Sequence, residues 1–326
     1  MDVSVSVIVP MFNMEKYIER CAKSLFEQTY KNIEFIFVDD HSHDNTLALL
    51  KQVIELYRMT DRVKLFVQPQ NVGLALNRWR GVEMASGDYV IPVDSDDYVA
   101  SDYIEKLVLQ ADKDNADVVI CDYWYDYGHS KRLCHINPPL DAKTCLKKLL
   151  VGEMHNGVWN KLVRRSLYTD NGVHVLPGVN MFEDKILMTQ LFFYARRVSY
   201  VSKPLYYYNR SNVNSITLQA KSKLIPQAVE VVAFLRDFFG RNECDNAMWQ
   251  GVEYFMVGIM GLILLYGEAG ILSARKDAFF QPSFKSIVTQ PVVPFHYKWA
   301  VLAYRLNLSF LIWPLRKLIA FRNKNK

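Results

Sequence analysis

Short β-branched runs alternate with longer segments of helical period from Val3 to about Cys121. This alternation is typical of βα units around a mostly parallel sheet flanked by helices, so it predicts an α/β fold. The predicted strands are Val5 to Val9, Ile33 to Val38, Val63 to Val67, Tyr89 to Val93 and Val118 to Cys121. The predicted helices are about Glu15 to Gln28, Asp44 to Tyr57, Leu74 to Ala85 and Asp102 to Asp112. We expect a ligand crevice at the carboxyl ends of the strands.

The pattern changes after the fifth predicted strand. Tyr123 to about Pro139 is predicted to be irregular. Order resumes in a helix at Ala142 to Leu150, the segment Val158 to Tyr168, and apolar stretches at Met181 to Phe193 and Val198 to Tyr208. Beyond about Asn214 the period is helical. The sequence predicts an α/β domain at residues 1–215 and a helical C-terminal region at residues 216–326.

Composition excludes several classes of protein. Half of the 326 residues are apolar and 22% are charged, which is typical of a globular chain. The five cysteines are scattered without a Cys-x-x-Cys pair, so neither a disulfide framework nor a zinc ribbon is indicated. The N-terminus enters an apolar run without a basic region before it, which argues against a secretory signal. We expect a reduced, cytoplasmic protein.

Basic residues gather at the C-terminal end. The net charge is +5, and eight basic but no acidic residues follow Asp277, interleaved with aromatic side chains. Charges and a proline interrupt Trp299 to Phe321, so we expect an amphipathic helix at the inner face of the cell membrane, on anionic lipid, rather than a span. The alternative is a core helix with a solvated basic face. No nucleic-acid fold signature accompanies these residues. The uncharged run Phe255 to Tyr266 is shorter than the ~20 residues of a span and predicts a buried helix.

An acidic run, Asp94-Ser95-Asp96-Asp97, follows the fourth predicted strand. Crowded carboxylates repel one another unless a cation or a metal-bridged phosphate lies between them, and hard oxygen ligands favour Mg²⁺ or Mn²⁺. The run therefore indicates a divalent-metal site. The alternative is local: Asp97 or Ser101 caps the helix that begins near Asp102, and the other acids make an Asx turn.

Two further polar clusters follow predicted strands. The first strand ends in Pro10-Met11-Phe12-Asn13, and the second in Asp39-Asp40-His41-Ser42-His43-Asp44. A carboxylate in the second cluster can accept a hydrogen bond from a base N–H or a ribose hydroxyl. Asp94 is then expected to hold a ribose and Asp96 a metal. Together the three clusters suit a nucleotide diphosphate. The alternative for Asp39 and Asp40 is a turn followed by a helix cap at Asp44.

The motifs resemble those of a family-2 glycosyltransferase of the GT-A fold over about Val3 to Thr217. The first half of the resemblance rests on Val5 to Pro10, Asn13, Tyr17-Ile18, Ser24-Leu25, Gln28-Thr29-Tyr30, Val38-Asp39-Asp40, Ser42, Asp44, Thr46, Asn71, Gly73, Arg78, Gly81 and the DXD-like Asp94-Ser95-Asp96-Asp97. The second half, Trp159-Asn160-Lys161-Leu162, Glu183-Asp184 and Pro204 to Tyr208 with Arg210, Ser215 and Ile216, is similar to bacterial members that build surface polysaccharides. The resemblance implies a Rossmann-like, mostly parallel GT-A sheet with a C-terminal helical extension.

The resemblance implies an enzyme, an inverting, metal-dependent hexosyltransferase. It would move one sugar from a UDP-hexose or UDP-N-acetylhexosamine to a hydroxyl of a glycan or lipid-linked acceptor in capsule or exopolysaccharide biosynthesis. The implied nucleotide-sugar site comprises Pro10, Asn13, Asp39, Asp40 (uracil), Asn71, Arg78, Asp94 (ribose) and Ser95. The implied metal ligand, for Mn²⁺ or Mg²⁺, is Asp96, and the implied acceptor or phosphate contacts are Trp159, Lys161 and Arg210.

The resemblance places the catalytic base in the pair Glu183-Asp184, with Asp184 as the base. The local alternative is that both acids stabilise the dipole of the helix they open. Two residues depart from the family pattern: His41 stands where Gly is usual and Trp79 where Asn is usual, and both are expected to narrow the nucleotide site. The chain lacks the Gln-x-x-Arg-Trp motif of processive members, which indicates addition of a single sugar.

Two other classes of protein share part of this pattern. A phosphoacceptor receiver domain also clusters acids at strand ends, but it is much shorter and does not need the block from Trp159 to Ile216. A non-catalytic module that binds a sugar nucleotide or glycan would keep Asp40 and the fold without requiring Asp184. Turnover of a UDP-sugar distinguishes the enzyme from both.

Overall fold

The computed structural model describes residues 3–212, 221–266 and 281–324. The chain divides into two compact units, Met1–Cys145 with Asn156–Ser215 and Leu146–His155 with Ile216–Lys326. The second unit thus takes in residues 146–155, which the sequence pattern assigns to the first domain.

The first unit is built around a mixed sheet, in which the described strands are β1 (Val5–Met11), β2 (Ile33–Asp39), β3 (Val63–Val67), β4 (Tyr89–Pro92), β5 (Tyr98–Val99), β6 (Val118–Asp126), β7 (Lys131–Cys134), β8 (Lys161–Arg164) and β9 (Val198–Asn209). They lie in the order β3-β2-β1-β4-β8-β6-β9-β5, and β7 pairs with β6. The first four strands in this order are parallel to one another, as are β6 and β9, whereas β8, β5 and β7 pair antiparallel with their neighbours. The α/β prediction is confirmed, and the parallel half carries the polar clusters.

The helices up to residue 194 are α1 (Ile18–Phe26), α2 (Thr46–Leu56), α3 (Leu74–Met84), α4 (Tyr103–Asp114), α5 (Ala142–Val151), α6 (Ser166–Thr169) and α7 (Glu183–Tyr194). The first four lie within the predicted bounds or within two residues of them. Helix α3 packs very closely on β1, because an ideal Cβ at Gly81 would lie 2.3 Å from Cγ2 of Ile8. This close approach fixes the position of Arg78, about one turn earlier on α3.

The irregular segment predicted from Tyr123 to Pro139 is wrong in its first part. Strand β6 continues to Asp126, and β7 returns beside it as a hairpin. Tyr123 is buried and packs edge-on against Trp159, with ring centroids 4.7 Å apart. Tyr125 packs against Tyr208 in the same way at 5.9 Å. Packing of these aromatic rings against one another extends the strand where local composition indicated a loop.

The described helices of the second unit after residue 220 are α8 (Lys221–Arg241), α9 (Asn246–Tyr266), α10 (Phe284–Thr289), α11 (Phe295–Arg305) and α12 (Ile312–Lys324). Helix α9 is long and apolar enough to cross a membrane, but 67% of its most apolar window is buried inside the protein. That burial favours a core helix, as the sequence predicts for Phe255 to Tyr266.

The continuous helix predicted from Trp299 to Phe321 is wrong. Helix α11 ends at Arg305, and Asn307 takes a left-handed backbone conformation with φ +61°. A short 3₁₀ turn at Ser309–Leu311 follows before α12 begins. Pro314 lies in the first turn of α12, where backbone N–H groups have no partner within the helix, so the N–H that proline lacks is not missed. Inside a continuous helix the same proline would remove a backbone hydrogen bond. The proline therefore explains why the helix restarts here.

Candidate active site

Arg78 is the centre of a buried cluster of acids. Its side chain is 3% exposed and pairs with Asp94 at 3.1 Å, Glu183 at 3.1 Å and Asp184 at 2.9 Å. The three acids come from distant parts of the chain, the end of β4 and the start of α7. One guanidinium thus joins the acidic run after the fourth strand to the acid pair that opens α7. Sequence reasoning had placed Arg78 only in the nucleotide-sugar site.

Glu183 and Asp184 are held toward Arg78 by the backbone that precedes them. Phe182 has φ +65°, a left-handed conformation that turns the chain sharply into α7. Burial, followed by the neighbouring Asp184 charge, raises the pKa of Glu183 to about 8. Burial also raises the pKa of Asp184, while the Arg78 guanidinium opposes that rise. Acids that only stabilised the helix dipole would not need a buried arginine partner, so the cluster favours a role in the site.

Asp97 anchors the acidic run to the sheet. Its buried carboxylate accepts from the Tyr206 hydroxyl at 2.5 Å and from the Asn209 amide at 2.7 Å. The Asp94 amide donates to the same Tyr206 oxygen at 3.1 Å. Helix α4 begins without a side-chain cap, so the local capping alternative for Asp97 and Ser101 is wrong. The run is shaped by tertiary contacts with β9.

Asp96 has the surroundings of a metal ligand. Its Oδ2 accepts from Asn212 at 2.8 Å, and its carbonyl accepts from Arg20 at 3.0 Å. Burial, with a smaller contribution from the Asp94 charge, raises the pKa of Asp96 to about 6. In the part of the chain that the structure describes, no lysine or arginine forms an ion pair with this carboxylate. The Arg20 guanidinium offsets part of the Asp96 charge through its contact with the backbone carbonyl, without forming an ion pair with the carboxylate.

The arrangement fits a divalent cation that arrives with its nucleotide. Among residues 3–212, 221–266 and 281–324, no group of three or more His, Cys, Asp or Glu side chains can hold a metal ion. Mg²⁺ is commonly bound by one or two carboxylates together with substrate phosphates rather than by an all-protein cage. Asp96 could supply one such carboxylate, and a diphosphate would supply the remaining charge.

Asp40 holds the loop after β3. Its Oδ1 accepts from the Val72 amide at 2.7 Å and its Oδ2 from the Gly73 amide at 2.9 Å. Burial raises the pKa of this carboxyl despite these two hydrogen bonds. Asn71 donates to the Asp40 carbonyl at 3.3 Å, which closes the loop further. Asp40 thus has a structural task that sequence reasoning did not foresee, beside the implied contact with uracil.

We expect Asp40→Asn to destabilise the protein. The amide NH₂ of asparagine would face one of the two backbone N–H groups, leaving a buried donor without an acceptor at a cost of roughly 1–3 kcal/mol. The melting temperature in the absence of nucleotide should fall by several degrees. A conservative change at the exposed Asp112 is the control, and Asp112→Asn should melt with the parent. An unchanged melting temperature in Asp40→Asn would contradict this loop-holding role.

The remaining residues of the first two clusters tie the loops after β1 and β2 together. Asn13 accepts from the His43 amide at 2.9 Å, and Asp39 accepts from the Ser42 hydroxyl at 2.5 Å. Asp44 accepts a hydrogen bond from the Thr46 amide at 3.0 Å, but the N-cap residue of α2 is Asn45, which makes no side-chain capping bond, so the predicted helix cap at Asp44 is wrong. His41 is exposed and has φ +65°, so the usual glycine at this place serves the backbone conformation. Pro10 and Ser95 are buried.

The three expected acceptor or phosphate contacts lie in different surroundings. Trp159 is 3% exposed and stacks on Tyr206, with ring centroids 4.5 Å apart, so it is a core residue. Lys161 is also buried and donates to the Gly157 carbonyl and to Asn160 Oδ1; burial lowers its pKa to about 8. Arg210 is exposed, and it is the member of the three that a ligand can reach.

Sequence reasoning missed several residues that shape the site. Asn212 and Arg20 both contact Asp96, and Tyr206 contacts two positions of the acidic run. Tyr206 lies in a motif that the resemblance included, but nothing local gave it a role. Asn212 and Arg20 carry no local signal, because their partner is more than seventy positions away along the chain.

Comparisons with known proteins agree with this geometry. The model of the family described as "Glycosyl transferase family 2" matches residues 6–172. The putative glycosyltransferase EpsH of Bacillus subtilis (strain 168) is 33% identical over 245 residues, covering 72% of this chain and 70% of that protein.

Two solved structures share the fold. S. aureus TarS 1–349 in complex with UDP-GlcNAc superposes with a TM-score of 0.70 at 20% identity, over 98% of this chain and 92% of that one. The mannosyltransferase PcManGT from Pyrobaculum calidifontis, in complex with GDP-Man and Mn²⁺, gives 0.54 at 17% identity, over 97% and 86%. These neighbours establish the GT-A architecture expected from the motifs. From the family match and the identity to EpsH, the chain belongs to glycosyl transferase family 2 and is a glycosyltransferase.

Proposed function

We propose that this glycosyltransferase is inverting and metal-dependent. It transfers one sugar from a UDP-hexose or UDP-N-acetylhexosamine to a hydroxyl of a glycan or lipid-linked acceptor in polysaccharide biosynthesis. The observation that carries the proposal is the Arg78 cluster, because one guanidinium joins Asp94 on the donor side to Asp184 at the start of α7. The UDP-GlcNAc bound by the TarS neighbour supports the choice of donor.

Asp184 acts as the base in the proposed reaction. The acceptor hydroxyl oxygen attacks the anomeric carbon and its proton passes to Asp184. A new C–O bond forms as the bond from the anomeric carbon to the diphosphate oxygen breaks, and its electron pair leaves on the nucleoside diphosphate. Attack on the face opposite the nucleotide inverts the anomeric centre. Burial increases the proton affinity of Asp184, while Arg78 preserves the ionised form that must receive the proton.

Asp96 is proposed to hold Mn²⁺ or Mg²⁺, and Asp94 the ribose. A bound divalent cation would supply charge stabilisation to the departing diphosphate. The Mn²⁺ in the PcManGT neighbour supports this choice. Arg210, exposed at the end of β9, is proposed to contact the acceptor or a phosphate. A cytoplasmic location is proposed because all five cysteines are free thiols, which suits a reducing compartment.

The test measures nucleotide binding and turnover in the full chain. We expect UDP with MnCl₂ to raise the melting temperature of the parent, and a panel of UDP-sugars to include one that is hydrolysed or transferred. Asp96→Ala should weaken metal-dependent UDP binding on the order of 100-fold, because a carboxylate ligand is lost. The exposed Asp112→Asn is the control and should bind as the parent does.

Two results would reject parts of the proposal. Equal UDP and Mn²⁺ binding by Asp96→Ala and the parent would remove Asp96 as the metal ligand. If GDP-mannose is bound or turned over by the parent and no UDP-sugar is, the proposed uracil base of the donor is wrong. The proposed reaction class, sugar transfer, would still stand. The non-catalytic binding module gains no support from the family relationship, because the similar proteins are named as enzymes.

A further inference from the structure

The break between α11 and α12 exposes a run of large apolar side chains. We define the apolar turn as residues 306–313. Within it the exposed fractions are 51% for Leu306, 38% for Leu308, 70% for Phe310, 37% for Leu311 and 60% for Trp313. Single exposed apolar residues are common on soluble proteins, but a contiguous run of this kind marks an interaction site.

The second unit has its own core without these side chains. Ala300, Val301 and Ala303 of α11 are buried, as is Ile312 at the start of α12. Helix α11 packs closely on α9, because an ideal Cβ at Gly261 would lie 2.5 Å from Cβ of Tyr297. The apolar turn therefore points away from the packed faces, and its exposure is not a consequence of a poorly packed helix.

The charges that accompany the apolar turn in the sequence indicate which kind of partner it would bind. No acidic residue follows Asp277, whereas eight basic residues do. Lys317 lies one turn beyond Trp313, with its Nζ 3.7 Å from the centre of the indole ring. Tryptophan beside lysine is a combination that suits the interface between lipid headgroups and acyl chains. A second copy of the chain would bring two basic surfaces together, which opposes self-association through this face.

We propose that the apolar turn is the membrane-contact element of this protein and inserts into the interface of an anionic lipid bilayer. Insertion places Phe310, Leu311 and Trp313 among the upper acyl chains, while the basic side chains remain at the headgroups. This differs from a helix lying flat along its whole length, because contact is concentrated at a turn. The inference is independent of the proposed sugar transfer.

The experiment compares two exposed phenylalanines of the same unit. Phe310 is 70% exposed in the apolar turn, and Phe295 is 81% exposed at the opposite end of α11. The full-length parent, Phe310→Ser and Phe295→Ser are each sedimented with vesicles of phosphatidylcholine, with or without one-third phosphatidylglycerol. The parent should bind the anionic vesicles about ten-fold or more tightly than the neutral ones. Phe310→Ser should weaken that binding about ten-fold or more, whereas Phe295→Ser should change it less than about two-fold.

Thermal unfolding and circular dichroism of each variant separate lost binding from lost folding. Leu306→Ser, at a 51% exposed position of the same turn, is the second variant and should also weaken binding. Equal binding by Phe310→Ser and the parent, or an equal loss in Phe295→Ser, would overturn the proposal. So would equal binding to neutral and anionic vesicles. A parent dimer that Phe310→Ser converts to a monomer, with vesicle binding unchanged, would assign the turn to self-association instead.

Discussion

Asp184→Asn is expected to lower kcat by roughly 10²- to 10⁴-fold, the range that a positioned general base contributes. Asparagine has nearly the same shape and can still accept from Arg78 through its carbonyl oxygen, so the cluster should keep its geometry. Nucleotide binding should change less than about two-fold, since the proposed donor contacts lie elsewhere. The measurement is kcat for transfer, together with UDP affinity by calorimetry.

The pH profile gives this prediction a second readout. The base must be ionised to accept a proton, so kcat/KM of the parent should fall on the acid side of the pKa of Asp184. Burial raises that pKa, so the fall should occur above the ordinary aspartate range near about 4. In Asp184→Asn this acid limb should disappear from the residual activity.

Glu183→Gln is the matched control, because Glu183 contacts the same nitrogen of Arg78 at 3.1 Å. Successive residues on a helix point about 100° apart, so the two acids cannot both face the acceptor. The change should leave most of kcat and leave the acid limb close to that of the parent, because Glu183, with its pKa raised to about 8, is uncharged where Asp184 titrates. If Glu183→Gln abolishes turnover while Asp184→Asn retains it, the base is Glu183.

Sequence patterns predicted the secondary structure of the first unit because its signals are local. Strands such as Val5–Met11 are β-branched apolar runs, and α1 buries Ile18, Cys21, Ala22 and Leu25 at helical spacing. The polar clusters could be assigned to one edge because carboxyl ends of parallel strands share an edge. The prediction for the tail is wrong because the apolar periodicity continues through Asn307 and Pro314, whereas Asn307 leaves the helical conformation and a proline is accommodated in the first turn of a new helix, α12.

The sequence predicts a candidate site at one edge of the sheet, but it does not indicate which contacts each of its residues makes. Arg78 lies on the buried face of α3, and its three partners lie 16, 105 and 106 positions away. A lone arginine in a helix is usually solvent-exposed, so no local pattern indicates burial. The structural roles of Asp40 and Asp97 could not be predicted for the same reason, because their carboxylates accept hydrogen bonds from backbone amides of distant segments. Contacts of this kind depend on the closed fold.

Arg78→Met is expected to reduce both stability and activity strongly. Methionine fills much of the same volume but leaves three acids without the cation they share. Removing one partner of a buried ion pair commonly costs about 3–5 kcal/mol, since the remaining charge has neither water nor a counter-ion. Arg78→Lys should also be impaired, because a single ammonium cannot reproduce the fork that reaches Asp94, Glu183 and Asp184. The measurement is the free energy of unfolding in urea.

The loss of folding stability in Arg78→Met should grow as the pH rises. The pKa of Glu183 is already raised to about 8 in the folded protein, and removing Arg78 removes a charge that lowers the pKa values of Glu183 and Asp184, so both should rise further. A carboxyl with a raised folded-state pKa contributes stability below its unfolded pKa and loses it as pH rises through the folded value. The deficit of Arg78→Met should therefore be small near pH 5, where the acids can be protonated, and largest near pH 8 to 9.

Arg80→Met is the control, because Arg80 forms an ordinary exposed ion pair on the same helix. Arg80 pairs with Glu83 at 3.0 Å, but their side chains are 43% and 47% exposed. Such a pair contributes about 0–1 kcal/mol and carries no strong pH dependence in this range. Arg78→Met should also move the acid limb of kcat/KM to higher pH, because Asp184 loses the charge that keeps it ionised. A deficit that is the same at pH 5 and pH 8 would mean that Arg78 stabilises by packing rather than by holding the acids in their charged form.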